Sequence, residues 1–169
     1  MSDRPLRVLS VRQPFASALF GPKPGENRTW RPSWDVLRTG DWLAIHASVS
    51  LYVGAALMVK RWRTTTRLGG DVDDWGLWPE CPPAKDLPRD WVIGVVRLAG
   101  VGRSYNHARQ GDRWAMDDDE SLYWLFDERR PFTTPIKPPR AGSMAHAGLW
   151  LAPPDVVAAT RALGCEVPE

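Results

Sequence analysis

The sequence predicts an α+β fold, in which a small, mixed β-barrel is flanked by two or three helices. Three observations support this prediction. Apolar runs of strand length predominate, helical spacing occurs in only three segments, and strands and helices do not alternate in units of equal length. The last observation argues against a doubly wound parallel sheet. All 169 residues are expected to form one domain, because the chain has the length of one domain with elaborate loops.

The N-terminal segment predicts a strand followed by a short helix. The strand is the compact run from Val8 to Val11. Pro14 suits the first position of a helix, where its fixed φ fits and its missing N–H has no intrahelical partner. The apolar face of this helix is expected to consist of Phe15, Ala16, Leu19 and Phe20, and Gly21 is expected to end it.

The middle of the chain predicts a buried strand from Trp42 to Ala47 and then a helix from about Leu51 to about Arg63. Ser48 or Ser50 could cap this helix. Basic residues collect at its C-terminal end, where the helix dipole favours them, so this run does not require a nucleic-acid partner.

The second half of the chain is expected to consist mostly of strands and loops. A long irregular insertion is predicted at about 68–90, because this segment is rich in Gly, Pro and Asp. The other predicted elements are a strand from Trp91 to Val101 with a bulge or close backbone approach at Gly94, a polar loop over 102–120, strands over 122–126, within 131–139 and over 148–150, and a helix over 155–163.

Composition restricts the classes of function. The net charge is +2, so the whole molecule is not a polycation, although short basic and acidic runs alternate along it. The sequence contains no run of about 18 apolar residues, so no membrane span is predicted. The N-terminus lacks an apolar signal core, so a cytoplasmic protein is expected. Cys81 and Cys165 are isolated, which argues against a zinc site, and no metal or cofactor is predicted. Ten tryptophans exceed what most cores of this size need, so one or two are candidates for lining a pocket for a planar ligand.

Residues 21–31 hold the densest collection of chemically useful side chains. If the chain is extended here, Glu26, Arg28 and Trp30 point to one side of the strand. Lys23 precedes them in a Pro/Gly turn, from which its long stem can reach the same side. Such a face could hold an anion on Arg28, a flat ring on Trp30 and an acid–base pair in Lys23 and Glu26. The spacing alone equally fits an edge strand with a solvated ion pair and a core tryptophan.

The same residues resemble a known family. Gly21, Lys23, Glu26 and Arg28 match the pattern G-x-K-x-x-E-x-R, which is the signature of ASCH domains in the PUA-like superfamily. The resemblance covers about residues 6–151, since five further segments are similar to ASCH domains and fall in the same order. They are Leu9–Ala16, Ala44–Ser48, Val92–Val96, Tyr123–Phe126 and Gly148–Trp150.

The resemblance implies a PUA-like barrel with a cleft that this motif lines, between the barrel and the N-terminal helix. It implies recognition of RNA, of a nucleobase or of a modified nucleoside, with DNA as another candidate. A base can stack on an aromatic ring while its phosphates contact Arg and Lys. The candidate binding residues are Arg28, Trp30, Arg31, Arg12, Gln13, Ser10, Ser48 and His46. Each of the two serines is as easily explained by local hydrogen bonding, and His46 by burial in a core strand.

The resemblance leaves catalysis open. Some ASCH proteins resemble amidohydrolases of N4-acetylcytidine, and others have been described as ribonucleases. Lys23 and Glu26 are therefore the candidate catalytic residues, with a desolvated lysine as base or nucleophile. Lys23 corresponds to the lysine of the amidohydrolases, but Glu26 stands where they have threonine. A module that binds other proteins through Trp75 and Trp78 is the remaining alternative.

Overall fold

The computed structural model describes residues 4–33, 35–63, 78–112, 114–139 and 149–168, which contain six strands and four helices. The strands are β1 (Arg7–Gln13), β2 (Gly25–Arg28), β3 (Trp42–Leu51), β4 (Trp91–Arg103), β5 (Leu122–Ile136) and β6 (Leu149–Leu151). The helices are α1 (Phe15–Ala18), α2 (Ala55–Arg63), α3 (Ser104–Arg109) and α4 (Pro154–Ala162). No helix in the described ranges is both long enough and apolar enough to cross a bilayer.

The six strands form one mixed sheet in the order β2-β5-β4-β3-β1-β6. Only the β1–β3 pair is parallel, and the other neighbours are antiparallel. The sheet curls into a half-barrel, which confirms the predicted α+β barrel with flanking helices. β2 lies at one end of the strand order, and β1 lies beside β6 at the other end. Residues of β1 and β2 can therefore meet only because the sheet curls.

Each face of the sheet carries its own hydrophobic core, because alternate residues of a strand point to opposite faces. One core contains Leu9, Leu43 and Ile45 together with Leu19, which follows α1. The opposite core contains Val8 and Trp42 and is covered by α4. A third cluster packs α2 against β5 and lies beside the turn that leads to β2; it includes Trp62, Trp114 and Tyr123.

The bulge and the close approach that the sequence predicted at Gly94 are both present. The register of β4 against β5 shifts between Val92 and Gly94. A Cβ atom at Gly94 would lie 2.6 Å from the Phe20 ring and 2.7 Å from the Arg130 carbonyl oxygen. Glycine is therefore needed for Phe20 to pack on β4, and this packing holds the end of the helical segment against the barrel.

The structure corrects the predicted end of the sheet. β5 is one strand of 15 residues, whereas the sequence predicted two short strands separated by a break. Its prolines, Pro131 and Pro135, were expected to interrupt pairing. β2 covers β5 only from Leu122 to Leu125, so the later part of β5 has one edge that β2 does not cover, and proline is tolerated at such an edge.

Other predictions about local structure were also wrong. β3 continues to Leu51, so Ser48 and Ser50 lie in the strand and cap no helix, and α2 begins only at Ala55. The polar loop predicted over 102–120 contains α3. Part of the predicted insertion, 68–77 with Trp75, falls outside the described residues. In the described part of it, Cys81 and Leu87 are buried in the third cluster.

Candidate functional site

The motif lies at the turn from α1 into β2, and local geometry fixes its direction. The backbone N–H of Lys23 donates to the Ala18 carbonyl (3.0 Å), which closes the turn after α1. β2 then lies against β5. A Cβ atom at Gly25 would lie only 2.5 Å from the Trp124 carbonyl oxygen, so only glycine allows this approach. The next residues alternate, with Glu26 and Arg28 on one face and Asn27 on the other.

Lys23, Glu26 and Arg28 form a compact charged cluster, named here the motif cluster. The ammonium group of Lys23 contacts Glu26 Oε2, and the other carboxylate oxygen lies 3.8 Å from Arg28. The side chains of the three residues are 2%, 12% and 18% exposed respectively. This is far less exposed than the solvated ion pair that the spacing also allowed. Burial makes these interactions strong and makes each loss of a partner expensive.

Lys23 is buried beside an aromatic ring. Its ammonium lies 5.2 Å from the centroid of the Phe15 ring. Burial lowers the pKa of Lys23 from its ordinary value, and the neighbouring Glu26 carboxylate partly opposes this shift. Burial also raises the pKa of the Tyr123 hydroxyl, with Asp112 as the next cause. Lys23 is therefore held at a site that disfavours its own charge, with Glu26 as its main compensating partner.

Arg28 connects the two sides of the curled sheet. Its Nη2 donates to the Ser10 carbonyl on β1 (2.8 Å), although β1 and β2 are not neighbours in the sheet. The Nε of Arg28 is buried and has no hydrogen-bond partner among the described residues. The guanidinium group therefore spans the seam between β1 and β2 while part of its donor capacity remains unused.

Ser10 and His46 form a second polar group on β1 and β3, on the face of the sheet that carries Val8 and Trp150. The two residues are paired in the parallel register, and Ser10 Oγ lies 3.1 Å from His46 Nδ1. Trp150 donates from its indole N–H to Ser10 Oγ (3.3 Å). His46 Nε2 lies 3.5 Å from Asp90 Oδ1, and Lys137 pairs with the same carboxylate. Burial lowers the pKa of His46, and Asp90 partly opposes this shift.

The other predicted contact residues lie around this seam in different states. Trp30 follows the end of β2, is half-buried, and packs edge-on against Trp124 with ring centroids 4.9 Å apart. Arg31 is exposed, and its Nη2 donates to the Val101 carbonyl (3.2 Å). Arg12 is exposed, two residues beyond Ser10 on β1. The two exposed arginines are thus available to solvent and to a ligand.

Gln13 and Ser48 have structural contacts instead. Gln13 is fully buried, and its amide donates to Ser17 Oγ and to the Pro88 carbonyl, both at 2.8 Å. Its amide oxygen accepts the Ser17 N–H (3.1 Å). Ser48 donates to the Ser50 carbonyl in its own strand (3.2 Å). The amide of Gln13 is thus occupied by the protein itself, and contact of Gln13 with a ligand stays a prediction.

Sequence reasoning missed Asp112 and Asp90. Asp112 lies in a loop that Asn27 holds, since the Asn27 amide donates to the Trp114 carbonyl (2.7 Å) and its oxygen accepts from Ser104 (2.7 Å). Asp90 precedes β4. Both lie far from the motif in sequence, and nothing in their local pattern predicted contact with the site.

The structure offers no candidate metal centre in the ranges that it describes, since no group of three or more His, Cys, Asp or Glu side chains is close enough to hold an ion. What the site does offer is a carboxylate that accepts hydrogen bonds beside a guanidinium that donates them. A flat ligand with both donors and acceptors on one edge matches this arrangement.

Comparisons with known proteins identify the fold. No family model and no curated protein matches this chain. A solved structure described as ASCH from Zymomonas mobilis matches with a TM-score of 0.55 and 19% identity, covering 99% of this chain and 100% of that one. The chain has the ASCH fold.

Two variants of the same Zymomonas mobilis protein agree with this result. A tyrosine-to-phenylalanine variant matches with a TM-score of 0.54 and 17% identity, covering 95% of this chain and 99% of that one. A serine-to-alanine variant matches with a TM-score of 0.51 and 17% identity, covering 96% and 99%. At this level of identity the likeness establishes the ASCH fold, and the chemistry of the site has to be argued from the residues of this chain.

Proposed function

We propose that the seam between β1 and β2 binds a nucleobase, within single-stranded RNA or as a modified nucleoside. The observation that carries this proposal is the incomplete pairing of the motif cluster. Arg28 has a buried Nε without a partner among the described residues, and its distance of 3.8 Å from Glu26 is too long for a hydrogen bond. A buried ion pair that served stability alone would be expected to satisfy these groups.

The chemistry of the seam fits the edge of a base. Base edges combine N–H donors with carbonyl and ring-nitrogen acceptors. A carboxylate accepts from an exocyclic amino group, and an arginine donates to ring nitrogens and carbonyls. Glu26 and Arg28 supply these two functions on one face of β2. In this proposal Trp30 contributes an aromatic surface beside them, supported from below by Trp124.

Phosphate groups would be held by the exposed arginines. Arg12 lies near the end of β1 and Arg31 follows β2, and both side chains are exposed. A base in the seam would place its backbone phosphates near the ends of these strands. Such contacts make affinity depend on salt, because bound counterions are released.

Binding of short RNA oligonucleotides, followed by intrinsic tryptophan fluorescence, tests this proposal. Arg28→Ala should weaken binding about tenfold or more, since a lost arginine–base contact is worth about 1–3 kcal/mol. Trp30→Ala should weaken it by a similar factor through lost stacking. Arg97→Ala is the matched control, because it removes the same charge from an exposed ion-pair network on β4.

Salt titrations separate the base contact from the phosphate contacts. Arg12→Ala and Arg31→Ala should each lower the slope of log affinity against log salt by about one, whereas Trp30→Ala should leave the slope unchanged. Equal affinity of wild type and Arg28→Ala, with both proteins folded, would refute the assignment of the seam as the binding site. Tighter binding of the DNA version of the oligonucleotide would move the proposal from RNA to DNA.

A second candidate function is hydrolysis of an N4-acylated cytidine, and the burial of Lys23 favours it. A lysine with a lowered pKa is a better base and nucleophile at neutral pH, and Glu26 is placed to receive or return its proton. Lys23→Met should abolish release of acetate from N4-acetylcytidine, while Asp127→Asn should not change it. If wild type releases no acid from a panel of acylated nucleosides, this second function is excluded.

A further inference from the structure

The row formed by Ser10, His46 and Asp90 is a second group of reactive side chains, which the motif cluster does not use. Ser10 Oγ lies 3.1 Å from one ring nitrogen of His46, and the other ring nitrogen lies 3.5 Å from the Asp90 carboxylate. His46 is 8% exposed, whereas Ser10 is half-buried. Side chains from three separate places in the sequence therefore form one line.

Trp150 determines the direction of hydrogen bonding in this row. An indole N–H can only donate, so Ser10 Oγ must accept from Trp150. The hydroxyl proton of Ser10 is then left to donate to His46 Nδ1, which makes Nδ1 the unprotonated nitrogen. The ring proton consequently sits on Nε2 and faces Asp90.

The Asp90 carboxylate is held ionised and in place. Lys137 pairs with it, and hydrogen bonding to Lys137 holds the pKa of Asp90 below its ordinary value. The backbone of Asp90 has a φ of +62°, a left-handed conformation that is uncommon outside glycine but that aspartate adopts more readily than most residues. Asp90 Oδ1 lies 3.5 Å from His46 Nε2, and this nitrogen makes no hydrogen bond among the described residues, so Asp90 acts on the imidazole through its charge.

We propose that Ser10 is a nucleophile for acyl transfer, with His46 as its general base and Asp90 as a positioning residue, and that the substrate is a carboxylic ester or amide. A serine–histidine–aspartate row is recognised by geometry and by the part each group plays, and its order in the sequence varies between folds. In the serine proteases Nε2 of the histidine faces the serine, whereas here Nδ1 of His46 faces Ser10.

The reaction proceeds in two balanced steps. Ser10 Oγ attacks the carbonyl carbon and gives its proton to His46 Nδ1. The tetrahedral adduct collapses, the bond to the leaving oxygen or nitrogen breaks, and His46 returns the proton to the leaving group. Water then attacks the acyl-serine, His46 takes one proton from it, and the acid departs as Ser10 regains its proton.

Arg28 restrains the backbone at this nucleophile. Its Nη2 donates to the backbone carbonyl of Ser10 at 2.8 Å, which helps to fix β1 where the nucleophile lies. The inference does not depend on the proposed recognition of a base, because ester or amide chemistry at Ser10 needs no nucleic acid.

Labelling with a fluorophosphonate tests the nucleophile directly. The serine oxygen attacks phosphorus and fluoride leaves, so the product is a stable adduct that peptide mass spectrometry can locate. Wild type should be labelled at Ser10, and Ser10→Ala should carry no label. His46→Gln should lower the labelling rate about 100-fold or more, the range expected for loss of a general base. Ser48→Ala is the matched control, because Ser48 lies on the strand of His46 and, among the described residues, its hydroxyl bonds within its own strand.

A thiol variant keeps the test decisive if Ser10→Ala fails to fold. Ser10→Cys should react with iodoacetamide at neutral pH far faster than Ser48→Cys, and the excess should vanish when His46→Gln is added. The natural thiols give a low background, because Cys81 and Cys165 are buried and burial raises the pKa of both, that of Cys81 to about 11.

The pH dependence of labelling distinguishes the part played by Asp90 from simple packing. Among the described residues, Asp90 and Lys137 are the charged groups that act on His46, and Asp90 raises the pKa of the imidazole while Lys137 lowers it. Asp90→Asn should therefore move the midpoint of the rate profile to lower pH and reduce its plateau. Absence of label on wild-type Ser10, together with equal reactivity of Ser10→Cys and Ser48→Cys, would overturn the proposal.

Discussion

Two charged networks of this molecule combine arginine with carboxylates in different ways. On the outside of the sheet, Arg97 donates to both oxygens of Asp127 at 3.0 and 2.9 Å and contacts Glu128 at 2.6 Å. These side chains are 36%, 45% and 33% exposed. In the motif cluster, Lys23 is 2% exposed and Arg28 remains 3.8 Å from Glu26.

The difference shows how burial and pairing separate a binding site from a surface network. The exposed network satisfies its groups in water, where such pairs contribute little to stability. The motif cluster loses more solvation and yet satisfies fewer of its donors. An unpaired hydrogen-bond donor costs most when it is buried. The unpaired donor of Arg28 in the buried motif cluster is therefore the feature that favours a ligand.

Removal of Glu26 should have the largest effect on stability. Glu26→Ala leaves the buried ammonium of Lys23 without its main partner, so we expect a loss of about 3–5 kcal/mol in the free energy of unfolding. Urea unfolding at pH 7 measures it. The double variant Lys23→Met/Glu26→Gln should recover much of this loss, because it removes the uncompensated charge. A loss below about 1 kcal/mol for Glu26→Ala would show that the motif cluster contributes no more to stability than the exposed network of Arg97 does.

Arg28→Lys should have the next largest effect. Lysine keeps the charge but has a single nitrogen, which cannot span the seam to the Ser10 carbonyl in the way a guanidinium can. We expect a loss of about 2 kcal/mol, as for a hydrogen bond to a charged group. Amide hydrogen exchange should accelerate in β2 more than in β3. An equal loss of stability in Arg97→Lys would contradict the claim that the bond of Arg28 across the seam is what makes its replacement costly.

The outcome for these networks shows what the sequence could predict. The contact of Lys23 with Glu26 follows from local spacing, and the barrel follows from the pattern of apolar runs. The bond from Arg28 to Ser10 depends on the curl of the sheet, which no local pattern encodes. The approach of Asp112 and Asp90 depends on loops held by distant contacts such as Asn27 with Trp114. The intramolecular bonds of Gln13 could not be predicted either, because an amide that binds its own loop looks the same in sequence as one that binds a ligand.

The pH dependence of stability should distinguish Lys23 from exposed lysines. Its pKa is lowered in the folded protein, so above that lowered pKa and below the ordinary lysine value the unfolded chain binds more protons. Stability should therefore rise with pH in this window, with a slope of at most about 1.4 kcal/mol per pH unit. The comparison is between wild type and Lys23→Met, since other groups titrate equally in both. Identical slopes would show that Lys23 has an ordinary pKa.

Asp127→Asn should have the smallest effect, because it removes one partner of an exposed arginine that keeps Glu128. We expect a loss of about 0.2–1 kcal/mol at low salt. The loss should shrink further at 1 M salt, where the screening length falls to about 3 Å. The loss caused by Glu26→Ala should persist at the same salt concentration, since ions screen a buried pair much less. If both losses responded to salt alike, burial would not separate the two networks, and the argument that the motif cluster is held ready for a ligand would lose its physical basis.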